Sequence, residues 1–156
     1  MSSARSIRRS FCALFVLAAS TIAGFGCASK PPTISTETVR IEVSPDLNED
    51  NPLAVDLVYV FDEKLVTRLA ETSARQWFQS RDQFQRDFPE GFTVRQWELV
   101  PGALLIVETV PAEAQEALAS FVFADYLAPG DHRARLDRYR NPLLQLGARG
   151  FTVRQE

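Results

Sequence analysis

Two cysteines, one histidine and scattered carboxylates are the side chains in this 156-residue chain with the chemistry for covalent, metal or acid–base work. Cys27 sits in GFGCASKPPT and Cys12 in the apolar run FCALFVLAAS. A catalytic thiolate needs a base beside it, and His132 is the sole histidine in the chain. Its surroundings, PGDHRAR, are charged and turn-forming, which predicts a solvated loop position rather than an acid–base one. No G-x-S-x-G nucleophile elbow and no Gly-rich phosphate loop occurs. Zinc would need several His or Cys ligands, which the chain does not offer. The acidic pairs Glu49-Asp50 and Asp62-Glu63 fit a solvated acidic surface, because a glycosidase holds its two carboxyls across a cleft. Residues 46–52 offer oxygen ligands for calcium, but counted from Asp46 they lack the sixth-position Gly and twelfth-position Glu of an EF-hand. The residues argue against an enzyme and require neither a cofactor nor a metal.

The N-terminus gives Cys27 a different role. Residues 1–10 carry Arg5, Arg8 and Arg9 with no acid, and residues 11–25, FCALFVLAASTIAGF, are uncharged. A basic start, an apolar run shorter than the roughly 20 residues of a membrane span, and a small-residue end describe an export signal over residues 1–26. An uncleaved signal anchor is the alternative. Cys12 would leave with the signal, so Cys27 has no partner for an internal disulfide. A cysteine just after the small-residue end, preceded by Gly26, resembles the lipobox of bacterial lipoproteins. There the thiol is acylated and becomes the first residue of the mature chain, which implies lipid attachment at Cys27. Each buried CH₂ contributes about 0.8 kcal/mol, so acyl chains hold a small domain on a bilayer without a spanning helix. Residues 27–36, polar and proline-bearing, read as a flexible tether. Ala28 stands where an inner-membrane-retained lipoprotein of enteric bacteria has Asp. The resemblance thus implies an outer-membrane location facing the periplasm.

Residues 37–156 suffice for one domain. The formal net charge is −3 and becomes more acidic once the arginines of the leader are removed. That balance disfavours nucleic acid, which recruits basic faces. TETVRIEVS alternates as a strand with one wet face, 46–52 is a loop of turn formers, and LAVDLVYVF is a mostly buried strand with Asp56 as its exception. From Asp62, a plausible N-cap, apolar residues at Leu65, Val66, Leu69, Ala70, Ala74, Trp77 and Phe78 take helical spacing. A second helical piece is expected from about Ser80 to Phe88. Strands then run over 92–100, turn at Pro101-Gly102 and return over 103–110, with another at 118–126 and a last one at 150–155. GFTVRQ occurs twice, at 91–96 and 150–155, as two similar half-buried strands rather than a duplicated domain. Arg133, Arg135, Arg138 and Arg140 read as a solvated, mutually paired face, with a contact for lipid phosphates or an acidic partner loop as the sharper alternative. About six strands around one helical insertion predict a mainly β protein, a β-sandwich.

Residues 39–61, VRIEVSPDLNEDNPLAVDLVYVF, resemble the type VI secretion lipoprotein family called TssJ (also SciN or VasD). Asp46, Leu47, Asn48, Asp50, Pro52, Val58 and Tyr59 fit its strand–loop–strand pattern, and the helical insertion, the Leu99-Val100-Pro101-Gly102 turn and Cys27 follow in the family's order. The resemblance implies a transthyretin-like sandwich that binds the periplasmic part of the inner-membrane protein TssM and so positions the secretion complex. It implies a partner-binding loop at Asp46, Leu47, Asn48, Glu49, Asp50, Asn51 and Pro52, with Leu47 exposed. Two competitors remain: a saccharide- or peptidoglycan-binding module using Trp77 and Trp97, and a hydrolase centred on His132.

Overall fold

The computed structural model describes residues 33–102 and 104–156; the expected signal, Cys12, Cys27 and the tether up to residue 32 lie outside the described residues. Among the described residues eight strands form two four-stranded sheets. The first sheet has the order β4-β1-β7-β8, from Leu104–Thr109, Thr38–Val43, Pro142–Leu146 and Phe151–Gln155. The second is β3-β2-β5-β6, from Phe92–Leu99, Leu53–Val60, Ala119–Ala124 and Arg133–Arg135. The architecture is a β-sandwich, mainly β, with its helices inserted between β2 and β3.

The alternation of β1 places Val39, Ile41 and Val43 between the sheets and leaves Arg40 and Glu42 in solvent. From the other sheet Val55, Leu57 and Tyr59 meet them, because successive strand side chains point to opposite faces. The opposite face of β2, carrying Val58 and Val60, packs with Phe121 and Phe123 of β5 beneath the helices. This is why β2 and β5 read as nearly continuous apolar runs: they are buried on both faces.

The helical insertion is two helices, α1 (Glu63–Glu71) and α2 (Ala74–Asp87). Asp62 caps α1 as expected, its Oδ1 accepting from the Leu65 amide at 2.9 Å. The break falls at Thr72-Ser73 rather than near Ser80, since Ser73 and Gln76 form a reciprocal capping box that starts α2. Ser73→Ala is expected to cost about 1 kcal/mol in chemical denaturation, the usual magnitude for a lost N-cap.

Trp77 of α2 is fully buried. Its ring stacks on Phe123 at 5.0 Å and Phe84 at 5.6 Å and meets the edge of Phe92 at 5.6 Å. Its Nε1 donates to Asp56 Oδ2 at 2.9 Å, and Arg81 reaches the same oxygen at 2.9 Å. Asp56 is therefore buried, not an outward exception in β2. The carboxylate is tolerated there because it is hydrogen-bonded and paired.

Two further expectations change. Residues 92–110 are not a hairpin within one sheet: β3 lies at the edge of the second sheet and β4 crosses to pair with β1 of the first. The segment RNPLLQL, where no strand is expected from the sequence, supplies β7, which runs parallel to β1 inside the first sheet. Both copies of FTVRQ are half-buried strands, β3 and β8, at edges of different sheets.

Candidate functional site: the loop end of the sandwich

Four strand connections, with described residues 44–52, 100–102, 125–132 and 147–150, gather at one end of the sandwich. The Gly102 amide donates to the Ser44 carbonyl at 3.5 Å, and the Asn48 amide donates to the Gly147 carbonyl at 3.2 Å. The chain joins the domain at the opposite end, where the Ile34 amide donates to the carbonyl of Ala117 at 3.0 Å. α1 begins at that opposite end, just after Phe61, whereas α2 begins at the loop end, where the Ala74 amide donates to the Asp131 carbonyl at 2.8 Å, and runs back towards Gly91.

The first loop folds through a left-handed turn. Asn48, Glu49 and Asp50 have φ of 48°, 56° and 65°, three consecutive non-glycine residues in a region that disfavours a Cβ. Asparagine tolerates this conformation better than most residues, and Asn48 is also tied down by its side chain. Its Nδ2 donates to the Pro52 carbonyl at 2.8 Å, and its Oδ1 accepts from the Leu127 amide of the third loop at 2.9 Å. The Asn51 side chain closes the turn, donating to the Glu49 carbonyl at 2.8 Å. Asn48 is 2% exposed and Leu47 wholly buried.

The expectation that Leu47 is an exposed contact is thereby corrected. It is an anchor in the core between the sheets, and the left-handed turn directs Asp46, Glu49, Asp50, Asn51 and Pro52 to solvent instead. Around them the other loops present Val100, 60% exposed, and Leu127, 59% exposed. Asp125 and Asp131 add carboxylates at the same end. Arg149 offsets part of that charge, pairing with Glu49 at 2.5 Å. The surface is acidic with two isolated apolar projections, suited to recognition by loops on a rigid scaffold. The Leu127 loop was missed in the sequence; its signal was an apolar residue just before the turn formers Pro129 and Gly130.

Among the described residues, the side chains named for catalysis and for saccharide binding are not gathered into one cleft. His132 is half-buried rather than solvated; its Nε2 lies 2.8 Å from the Ala128 carbonyl and its ring 4.8 Å from Tyr126. It shapes the third loop, with its own φ at 42°. Trp77 is sealed beneath the helices and Trp97 is half-buried against the inter-sheet core, so the two rings form no exposed aromatic platform. A groove of about 410 Å³ beside the loop end is lined by Glu42, Val43, Ser44, Pro45, Gln145, Leu146 and Gly147, with no aromatic ring. Among the described residues no three His, Cys, Asp or Glu side chains are grouped as a metal site. Burial raises the pKa of the Tyr59 and Tyr126 phenols above the ordinary value, with Glu108 adding to the effect at Tyr59, so neither supplies a phenolate at neutral pH.

The arginine cluster is dispersed. Arg133 donates to the Thr72 carbonyl at 2.9 Å, Arg135 pairs with Asp137 at 2.5 Å, and Arg140 pairs with Glu37 at 2.9 Å. Of the mutually paired face expected by default, the structure shows the one pair Arg135–Asp137; Arg133 and Arg140 reach partners outside the segment.

The sandwich, with two helices between its early and later strands, has the fold of the type VI secretion lipoproteins. It superposes on the T6SS lipoprotein TssJ1 from Pseudomonas aeruginosa with a TM-score of 0.56 at 19% identity, covering 80% of this chain and 98% of that one. Against Lip of Serratia marcescens, a membrane-bound component of the type VI secretion system, the TM-score is 0.53 at 11% identity, over 76% and 96% of the two chains. A chain of the EAEC structure of the T6SS protein TssM C-terminal domain matches at TM-score 0.52 and 15% identity, over 76% of this chain and 100% of that one. No family model matches the sequence, and no curated protein matches it. At these identities the shared property is the fold.

Proposed function

We propose that this chain is a lipid-anchored envelope protein, attached through Cys27 to the periplasmic face of the outer membrane. There it docks an envelope-spanning secretion complex by binding the periplasmic part of a TssM-like inner-membrane protein. One observation carries the reading: the loop end, where Asn48 locks the first and third loops together, lies at the end of the sandwich opposite the entry of the tether. The recognition loops thus lie at the end of the domain opposite Ile34, where the tether enters it. The likeness in fold to secretion-system lipoproteins supports the same role. The acidic surface around Glu49 and Asp50 suits a basic partner surface with apolar recesses for Val100 and Leu127.

The test is affinity capture of the full-length protein from crosslinked envelopes, with a Glu49→Asn/Asp50→Asn variant alongside. Asparagine keeps tolerance of the left-handed turn while removing both charges. Recovery of a large inner-membrane protein by the parent chain, with a loss of severalfold in the variant, is expected, since rim charges act chiefly on association rate and salt dependence. Equal recovery from both would move the contact off this loop, and recovery of no such protein would sink the docking role.

A further inference from the structure

Among the described residues the sandwich has four free strand edges, β3, β4, β6 and β8, and three of them carry the charges that keep sheet edges from pairing. β3 has Arg95 and Glu98, the three-residue β6 has Arg133 and Arg135, and β8 has Arg154. β4, LLIVET, has no Lys, Arg or Pro. Leu104 is 48% exposed, Leu105 57% and Val107 55%. Its one acid, Glu108, already pairs with Arg95 at 3.4 Å. On the outer face, Leu105 and Val107 stand beside Glu42 and Arg40 of β1. Those two are occupied as well, Glu42 accepting from Gln145 at 2.7 Å and Arg40 pairing with Glu156. The charges bordering β4 are thus partnered within the chain, and the edge offers an unpaired ladder flanked by apolar side chains.

We propose that β4 pairs antiparallel with β4 of a second copy of this chain, joining two four-stranded sheets into one. The choice of occupant follows from charge. A charged strand laid along this edge would meet no free counter-charge, whereas an uncharged apolar strand would lose nothing on desolvation. Among the described edge strands β4 is itself the one without Lys or Arg, and its single acid, Glu108, is already paired with Arg95. A two-fold axis through Ile106 sets Leu105 against Val107 of the other copy on the outer face. It also sets Glu108 against Leu104, so no like charges oppose one another. An edge pair of six residues is small, so the association is weak in dilute solution and favoured by crowding on a surface. This inference does not depend on what the loop end binds.

Variants of the full-length protein with one added cysteine, scanned through residues 104–109 in cell envelopes under mild oxidation, test it directly. Residues facing each other in an antiparallel pair have Cα atoms about 4.5–5.5 Å apart, within disulfide reach. Ile106→Cys, half-buried at the edge, should give a disulfide homodimer, while Leu127→Cys, more exposed but at the loop end, gives only background. Adding Val107→Lys to Ile106→Cys should abolish the dimer while circular dichroism of the folded chain stays unchanged. Dimer yields at residues 104–109 no higher than at Leu127→Cys, or a crosslink to a different protein in place of the homodimer, would overturn the proposal.

Discussion

Trp77→Ala is expected to lower folding stability by about 3–5 kcal/mol, the usual magnitude for deleting a buried large aromatic. The indole is fully buried, stacks on Phe84 and Phe123, and satisfies Asp56 through Nε1. Its removal leaves a cavity beneath the helix pair and deprives a buried carboxylate of a donor, two costs that add. Against a typical net stability of about 5–15 kcal/mol, that loss unfolds a substantial fraction of molecules on modest heating. Arg81→Ala is expected to cost about 1 kcal/mol, because that side chain is 36% exposed and water replaces it. Urea titrations of both variants measure the difference. A Trp77 variant as stable as the Arg81 variant would show that the aromatic layer does not hold the helices to the sheet.

Asn48→Ala is expected to cost about 2–4 kcal/mol, combining a buried Leu127 amide left without its acceptor and a Cβ residue forced to a left-handed φ. Asn48→Gly keeps the turn accessible but removes the same side-chain bonds, so it should cost about 1 kcal/mol less. The pair separates backbone strain from hydrogen bonding. Hydrogen exchange at the Leu127 amide should quicken in both variants, because neither offers an acceptor there. Unchanged protection at Leu127 would show that the first and third loops are not coupled through Asn48.

These two residues also mark where the sequence is legible and where it is not. Strand alternation in β1, the doubly buried runs of β2 and β5, and the Asp62 cap are local patterns, readable within a few residues. They suffice for a mainly β sandwich with a helical insertion. The features misread depend on contacts distant in sequence. Asp56 looks outward because it is charged; its partners lie 21 and 25 residues further on. Leu47 looks like an exposed loop hydrophobe because nothing local announces a left-handed turn through Asn48, Glu49 and Asp50. β7 starts with Pro142 and lacks alternation, since Leu143 and Leu144 are buried on opposite faces, and its pairing with β1 spans about a hundred residues. The capping box at Ser73 and Gln76, by contrast, was there to be read: S-x-x-Q ahead of a helical run fixes the start of α2.

At the candidate site the segment expected as a uniform contact loop, residues 46–52, divides into two roles in the structure. Asp46, Glu49, Asp50, Asn51 and Pro52 are solvent-facing, Leu47 and Asn48 are the scaffold beneath them, and Leu127 and Val100 arrive from loops distant in sequence. The account therefore assigns recognition to a composite of loops that one buried asparagine holds in register.

The measurement that tests this most directly is site-specific photo-crosslinking in intact envelopes, with the photoreactive residue at Asp50 in one strain and at Glu113 in another. Both positions are exposed, but Glu113 lies at the opposite end of the sandwich, in the link between β4 and β5 near where the tether enters. The account predicts an adduct with a large inner-membrane protein from Asp50 and none from Glu113. The same adduct from Glu113 alone, or from neither position, would contradict docking through the loop end.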